Sequence, residues 1–178
     1  MSDAIVTPRL ICKPLKEEHA SLMFPLLQDQ RIYEHIPDQK PESVERLRER
    51  YQALVRGNTR NPSELWLNWI LFIKNGKVPI GYFQATIQDN YCSIGYVIGS
   101  PYWRQHYGSE ACLHLITELF ATYPFTFIQA EIDTRNHASL EFVKKMGFIH
   151  KSFDEANNDE VFETTRSAWQ KIVCARAK

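Results

Sequence analysis

The chain has 178 residues, enough to bury the core of one ordinary domain. Its 21 basic and 21 acidic residues cancel, so no long-range positive field recruits nucleic acid, and none is expected as a partner. No apolar run approaches the roughly 18 residues a membrane helix needs, and the N-terminal stretch lacks an apolar targeting segment, so a cytoplasmic protein without membrane contact is expected.

Leu10–Lys13 predicts a first short strand. Glu17–Leu27 then carries Leu22, Met23, Leu26 and Leu27 as a helical stripe, which Pro25 should kink or split. Ser43 is placed to cap a helix whose Val44, Leu47, Tyr51, Leu54 and Val55 line one face, and Gly57 to end it. Leu65–Lys74 is dense in Trp, Leu, Ile and Phe and leads to Asn75-Gly76, a strong hairpin signal. Val78–Ile87 returns, Gln88-Asp89-Asn90 turns, and Tyr91–Ile98 forms the third strand of an antiparallel meander. These runs are almost continuously apolar, so both sheet faces are expected to be covered. Trp66, Trp69, Phe72, Tyr82 and Phe83 read as sheet core, although Tyr82 and Tyr96 can reach a groove from neighbouring strands.

After Pro101 the helical period returns, with Cys112, Leu115, Ile116, Leu119 and Phe120 on one face of a helix beginning near Gly108. Phe127–Ile132 reads as a strand. Ser139, Phe142, Val143 and Met146 mark a short helix that Gly147 ends in a left-handed cap, with Phe148 behind it. Ile149–Phe153 and Val161–Thr165 close the sheet around the polar loop Asp154–Glu160. No linker, repeat or low-complexity tract interrupts the order, so residues 1–178 are expected to form one mixed α/β domain. Cys12, Cys92, Cys112 and Cys174 are scattered, which suits isolated thiols and predicts neither a disulfide framework nor a metal site.

Two segments carry chemistry. In Ile94–Ala111 a strand runs through a short loop into a helix, whose first N–H groups lack intrahelical partners and make an anion cradle. Gly108 lets backbone approach a ligand closely and Arg104 adds a flanking charge. Taken alone, Gly108 serves helix–sheet packing equally well, and Arg104 a solvated surface. In Glu131–Phe148, Asn136 is a natural helix cap and Ser139 falls in the first turn, where each has a purely local reading as well.

The run Arg104-Gln105-His106-Tyr107-Gly108-Ser109, after a Gly-Tyr-Val-Ile strand, resembles the acetyl-CoA motif of the GNAT superfamily of N-acetyltransferases. Asn136-x-x-Ser139 followed by Lys145-Met146-Gly147-Phe148 resembles that family's next motif. Thr7-Pro8-Arg9-Leu10, leading into Lys13-Pro14-Leu15, resembles the opening of the branch containing the ribosomal-protein alanine and serine N-acetyltransferases. The resemblance implies a mostly antiparallel sheet, flanked by helices and splayed between two central strands, with acetyl-CoA as cosubstrate in the gap. It places the backbone of Tyr96, Val97 and Ile98 along the pantetheine arm. Arg104, Gln105, His106, Tyr107, Gly108 and Ser109 would surround the pyrophosphate, Asn136 would meet the pantetheine side, and Ser139 would lie near the thioester sulfur. Two departures stand out. The family's usual loop glycine is His106 here, which would be strained if the loop needs positive φ. The tyrosine that some members use as general acid is Val143.

Amide formation from a thioester needs a neutral amine, a polarised carbonyl and a proton for the leaving thiolate. Glu131, at its strand end, is the candidate base, acting through water, and an exposed strand-end charge is its plain alternative. A backbone N–H near Val97 would polarise the carbonyl and Ser139 would hydrogen-bond the departing sulfur. Acceptor choice falls to the Ile32–Asn61 region and the Asp154–Glu160 loop. Neither tells a protein N-terminus, ribosomal or other, from a small-molecule amine, and nothing sets the oligomeric state. A non-catalytic acyl-CoA-binding regulatory module and a domain made only for protein contacts are the competing readings.

Overall fold

The computed structural model describes residues 3–74 and 78–176. Strands β1 (Ile5–Val6), β2 (Leu10–Pro14), β3 (Leu65–Ile73), β4 (Pro79–Gln88), β5 (Tyr91–Ile98), β6 (Phe127–Asp133), β7 (Ile149–Asp154) and β8 (Asp159–Thr165) form one sheet in the order β1-β2-β3-β4-β5-β6-β8-β7. Among the described residues only β5 and β6 pair in parallel. Helices α1 (His19–Met23), α2 (Val44–Arg56), α3 (Tyr107–Thr122), α4 (His137–Met146) and α5 (Arg166–Arg176) cover it. The Asn75-Gly76 turn lies outside the described residues.

Both sheet faces are covered, for a periodic reason. Along β3 and β4, Leu71 and Phe83 face the layer of α3, α4 and α5, while Ile70 and Tyr82 face α1 and α2. The α3 stripe is fully buried at Leu115, Ile116 and Leu119, each side chain contributing about 1.5–3 kcal/mol. The connection β5–α3–β6 places the N-terminus of α3 beyond the end of β5.

Caps sit where short-range chemistry puts them. The Ser43 hydroxyl accepts from Arg46 N–H at 3.1 Å, and Gly57 (φ 81°) donates to the last carbonyls of α2. Gly147 takes φ 90° behind α4. Pro25 splits its segment into α1 and a 3-10 turn at Leu26–Gln28.

Several expectations need correction. Leu22 and Val55 are 48% and 57% exposed, because α1 buries His19, Ala20 and Met23 and α2 turns Leu47 and Tyr51 inward. The polar loop between β7 and β8 is shorter than Asp154–Glu160, since Asp154, Asp159 and Glu160 belong to the paired strands. Strand β1 and helix α5 have no counterpart among the expected elements. The signal for α5 is present in Trp169, Ile172 and Val173, which share a helical face and pack on the core.

Candidate active site

Strands β5 and β6 are in register only at Tyr91↔Phe127, Cys92↔Ile128 and Ser93↔Gln129. Beyond those pairs β5 continues to Ile98 and β6 to Asp133, so the two strands part and leave a gap in the middle of the sheet. Gly99 N–H donates to the Ile80 carbonyl at 2.8 Å, and the Val97 carbonyl lies against Gly81, both on the β4 side. Backbone groups alternate in an antiparallel ladder, so Tyr96 and Ile98 turn theirs toward the gap. Val97 therefore differs from expectation: its N–H and carbonyl serve β4. The Ile98 carbonyl accepts from Trp103 Nε1 at 2.6 Å.

The mouth of the gap is formed by the Gly99–His106 connection and the start of α3. Arg104 (φ 58°) and His106 (φ 63°, ψ 11°) are both left-handed. Such conformations cost non-glycine residues about 1–3 kcal/mol each. The loop thus does require positive φ at the position where the related motif has glycine. His106 is the N-cap of α3 yet makes no side-chain cap bond, so the N–H groups of Tyr107, Gly108 and Ser109 are left to an outside acceptor. Arg104, Gln105 and His106 are exposed, while Tyr107, Gly108 and Ser109 are half-buried. A Cβ added at Gly108 would meet Ile98 Cγ1 at 3.6 Å and Phe142 Cε2 at 3.8 Å, which places this glycine between the end of β5 and α4.

The N-terminal Thr7–Leu10 segment joins the same mouth. Thr7 Oγ1 donates to Glu110 Oε1 at 2.5 Å, and the Arg9 N–H and Nε donate to the two Glu110 oxygens, each at 2.6 Å. Burial pushes the Glu110 pKa up, but these bonds outweigh it and hold the carboxyl below its ordinary value of 4.5. A folded-state pKa held down stabilises the fold fully above the ordinary value and less as pH falls below it. Glu110→Gln is therefore expected to flatten the acid limb of the stability curve below about pH 4.5, as followed by circular dichroism against pH. An unchanged acid limb would contradict the assignment.

At the N-terminus of α4, Asn136 Oδ1 accepts from Ser139 N–H at 3.1 Å, so the capping role is realised and the amide NH₂ remains for another partner. Tyr96 turns onto this layer rather than toward a groove on the other face, its ring 4.9 Å from that of Phe142. Burial raises the pKa of its phenol, while a contact with the Ser139 hydroxyl acts in the opposite direction. Val143, one turn further on, is 1% exposed and belongs to the core. Glu131 alternates with the core residues Ala130 and Ile132, so it faces the α1–α2 side of the sheet, opposite Ser139. It is exposed and accepts from Gln129 Nε2 at 2.6 Å. The surroundings are acidic: burial first, then the charges of Asp133, Glu131 and Asp154, raise the pKa of Asp159.

On the α1–α2 side a small cavity of about 30 Å³ is lined by Tyr33, Asp38, Arg50, Tyr51, Asn68 and Tyr82. The Arg50 guanidinium forks onto Asp38 at 2.9 and 2.6 Å. Burial raises the pKa of the Tyr51 and Tyr82 phenols, which therefore stay protonated donors. Trp69, Phe72 and Phe83 are core, and Tyr82 lines this cavity together with Trp69 and Phe83. Asp38 and Arg50 lie in the Ile32–Asn61 region but show no motif, and only their meeting in space identifies them. Among the described residues, no group of three or more His, Cys, Asp or Glu is disposed to hold a metal ion, and no helix is long and apolar enough to cross a membrane.

Residues 9–149 match the family described as acetyltransferase (GNAT) domain. The chain is 24% identical over 151 residues to the uncharacterized N-acetyltransferase YoaA of Bacillus subtilis (strain 168), covering 83% of this chain and 84% of that protein. Among solved structures, a GCN5-related N-acetyltransferase from Brucella melitensis superposes with a TM-score of 0.83 at 15% identity, over 98% of this chain and 84% of that one. A ribosomal L7/L12 alpha-N-protein acetyltransferase in complex with coenzyme A superposes with a TM-score of 0.78 at 16% identity, over 93% and 99% of the two chains. At these identities the structural likeness speaks for the fold.

Proposed function

The chain belongs to the GNAT acetyltransferase family, and on that premise we propose that it transfers the acetyl group of acetyl-CoA to a primary amine by direct attack in a ternary complex. The observation that carries this reading is the parting of β5 from β6 with the uncapped start of α3 at its mouth. The gap offers an unpaired strand edge to an extended, amide-bearing arm, and the α3 N–H groups offer a cradle to a diphosphate. Charge-assisted hydrogen bonds of this kind contribute about 1.5–3 kcal/mol each. Arg104 adds positive charge from the loop, and the free amide NH₂ of Asn136 suits a carbonyl of the arm.

The two faces of the gap divide the chemistry. Glu131, on the α1–α2 side, accepts a proton from the bound ammonium through water, which frees the amine lone pair for attack, and the carboxylates around it favour a cationic acceptor. The amine nitrogen forms the new C–N bond as the C–S bond breaks. One N–H of this gap-facing edge, that of Tyr96 or of Ile98, polarises the thioester carbonyl, a role the sequence placed near Val97. Ser139, on the opposite face, hydrogen-bonds the departing sulfur, and the N–H proton shed as the amide forms balances the one that the thiolate takes up. The rest of the acceptor, a protein N-terminus or a small-molecule amine, lies over the α1–α2 face, where the cavity beside Tyr82 has room for no more than a small group of it.

A panel of amines incubated with acetyl-CoA and followed by free-thiol release tests the reaction. Saturable, amine-dependent thiol release is expected, and CoA binding without turnover on any amine would leave the regulatory-module reading standing. Ser139→Ala then tests the role of the hydroxyl. Asn136 still caps α4, so stability should change little, whereas kcat should fall about tenfold with CoA affinity nearly intact. A wild-type kcat in that variant would assign the proton to bound water.

A further inference from the structure

Gln105 lies between two left-handed residues, Arg104 and His106, neither of which is glycine. A turn of that kind persists only where the surroundings hold it. The Gln105 side chain reaches back to the Pro101 carbonyl at 2.9 Å, and its backbone carbonyl accepts from Arg9 Nη1 at 3.0 Å. Arg9 is itself anchored. Its carbonyl accepts from Lys74 N–H at 2.7 Å, and the next residue, Leu10, is fully buried and paired with Ile73. Its guanidinium lies 4.5 Å from the Tyr107 ring centroid and donates through Nε to Glu110. One planar fork thus links the sheet edge, the left-handed turn and the first turn of α3. It also neutralises the only acidic residue in that first turn, whose charge would otherwise oppose an anion at the helix start.

We propose that Arg9 is the positioning residue that holds the Arg104–His106 turn in the conformation that receives the cofactor's pyrophosphate. The assignment rests on the acetyl-CoA reading of the gap. Arg9 does not touch the thioester end. It acts through Gln105 and Glu110, and it compensates for the histidine that stands where the related motif has glycine. The consequence is a specific coupling: the need for Arg9 should shrink when residue 106 is free to adopt positive φ.

Calorimetric titration of CoA and of pantetheine, which lacks the pyrophosphate, separates this role from a general loss of structure. Arg9→Ala is expected to weaken CoA binding about tenfold or more while pantetheine binding stays within about twofold. Adding His106→Gly to Arg9→Ala should recover most of the loss, because glycine adopts the left-handed turn without strain. Arg9→Lys, which keeps the charge but not the fork, should also bind CoA more weakly and serves if the alanine variant does not fold. Unchanged CoA affinity in both single variants, equal losses for CoA and pantetheine, or no recovery in the double variant would each overturn the proposal. Absence of CoA binding by the unmodified protein would instead remove the functional reading on which it rests.

Discussion

Replacing Gly108 with Val is expected to lower CoA affinity by about 10²-fold or more while the protein stays folded. A Cβ at this position would lie 3.6 Å from Ile98 Cγ1 and 3.8 Å from Phe142 Cε2, ordinary van der Waals distances, and φ at Gly108 is helical. Neither sterics nor backbone conformation therefore forbids a Cβ there in the free protein. The Val methyl groups would stand between the end of β5 and α4, in the mouth through which the ligand passes. They would keep a diphosphate from the N–H groups of Tyr107, Gly108 and Ser109. Loss of two charge-assisted hydrogen bonds at about 1.5–3 kcal/mol each corresponds to roughly 10²–10⁴ in Kd. Gly108→Ala, with one methyl, should retain more affinity and melt no lower than wild type, since alanine is the better helix former by about 1 kcal/mol. Calorimetry together with thermal melts reads both effects. A folded Val variant with wild-type CoA affinity would remove the cradle from the start of α3.

Trp169→Ala is expected to cost about 3–5 kcal/mol of stability, among the largest losses available to a single substitution in this chain. Trp169 is 1% exposed, donates through Nε1 to Thr117 Oγ1 on α3 at 3.0 Å, and packs edge-on against Phe148, ring centroids 6.2 Å apart. It is the principal anchor of α5, whose Ile172 also fills the space beside Gly147. For a domain of this size each kcal/mol lowers Tm by about 2–4 °C, so the melting point should drop by roughly 6–20 °C. Trp169→Phe keeps most of the buried area but not the bond to Thr117, and should lose less. A change below 1 kcal/mol (about 2–4 °C) in the alanine variant would mean that α5 adds little to the core.

What the sequence determined by itself is what short-range chemistry settles. Ser43, Gly57, Asn136 and Gly147 all cap the helices their positions predict, because a cap is decided within three or four residues. Tyr91–Ile98 is the strand its apolar run describes, and Pro25 divides its helix because it lacks an N–H. The ordered motifs around Gly108, Asn136 and Ser139 identified the family. Tertiary structure decided everything that depends on two distant segments meeting. The register of β5 against β6 stops at Ser93↔Gln129, and no local pattern in either strand records that limit. Glu131 and Ser139 fall on opposite faces of the gap because strand alternation sends one side chain away from the layer in which α4 packs. Arg9 and Glu110 are 101 positions apart, and Asp38 meets Arg50 only when the loop before α2 folds back over it. The left-handed turn at His106 is likewise invisible locally: its own residue type argues against positive φ, and the turn meets Arg9, from the remote β1–β2 connection, at the Gln105 carbonyl.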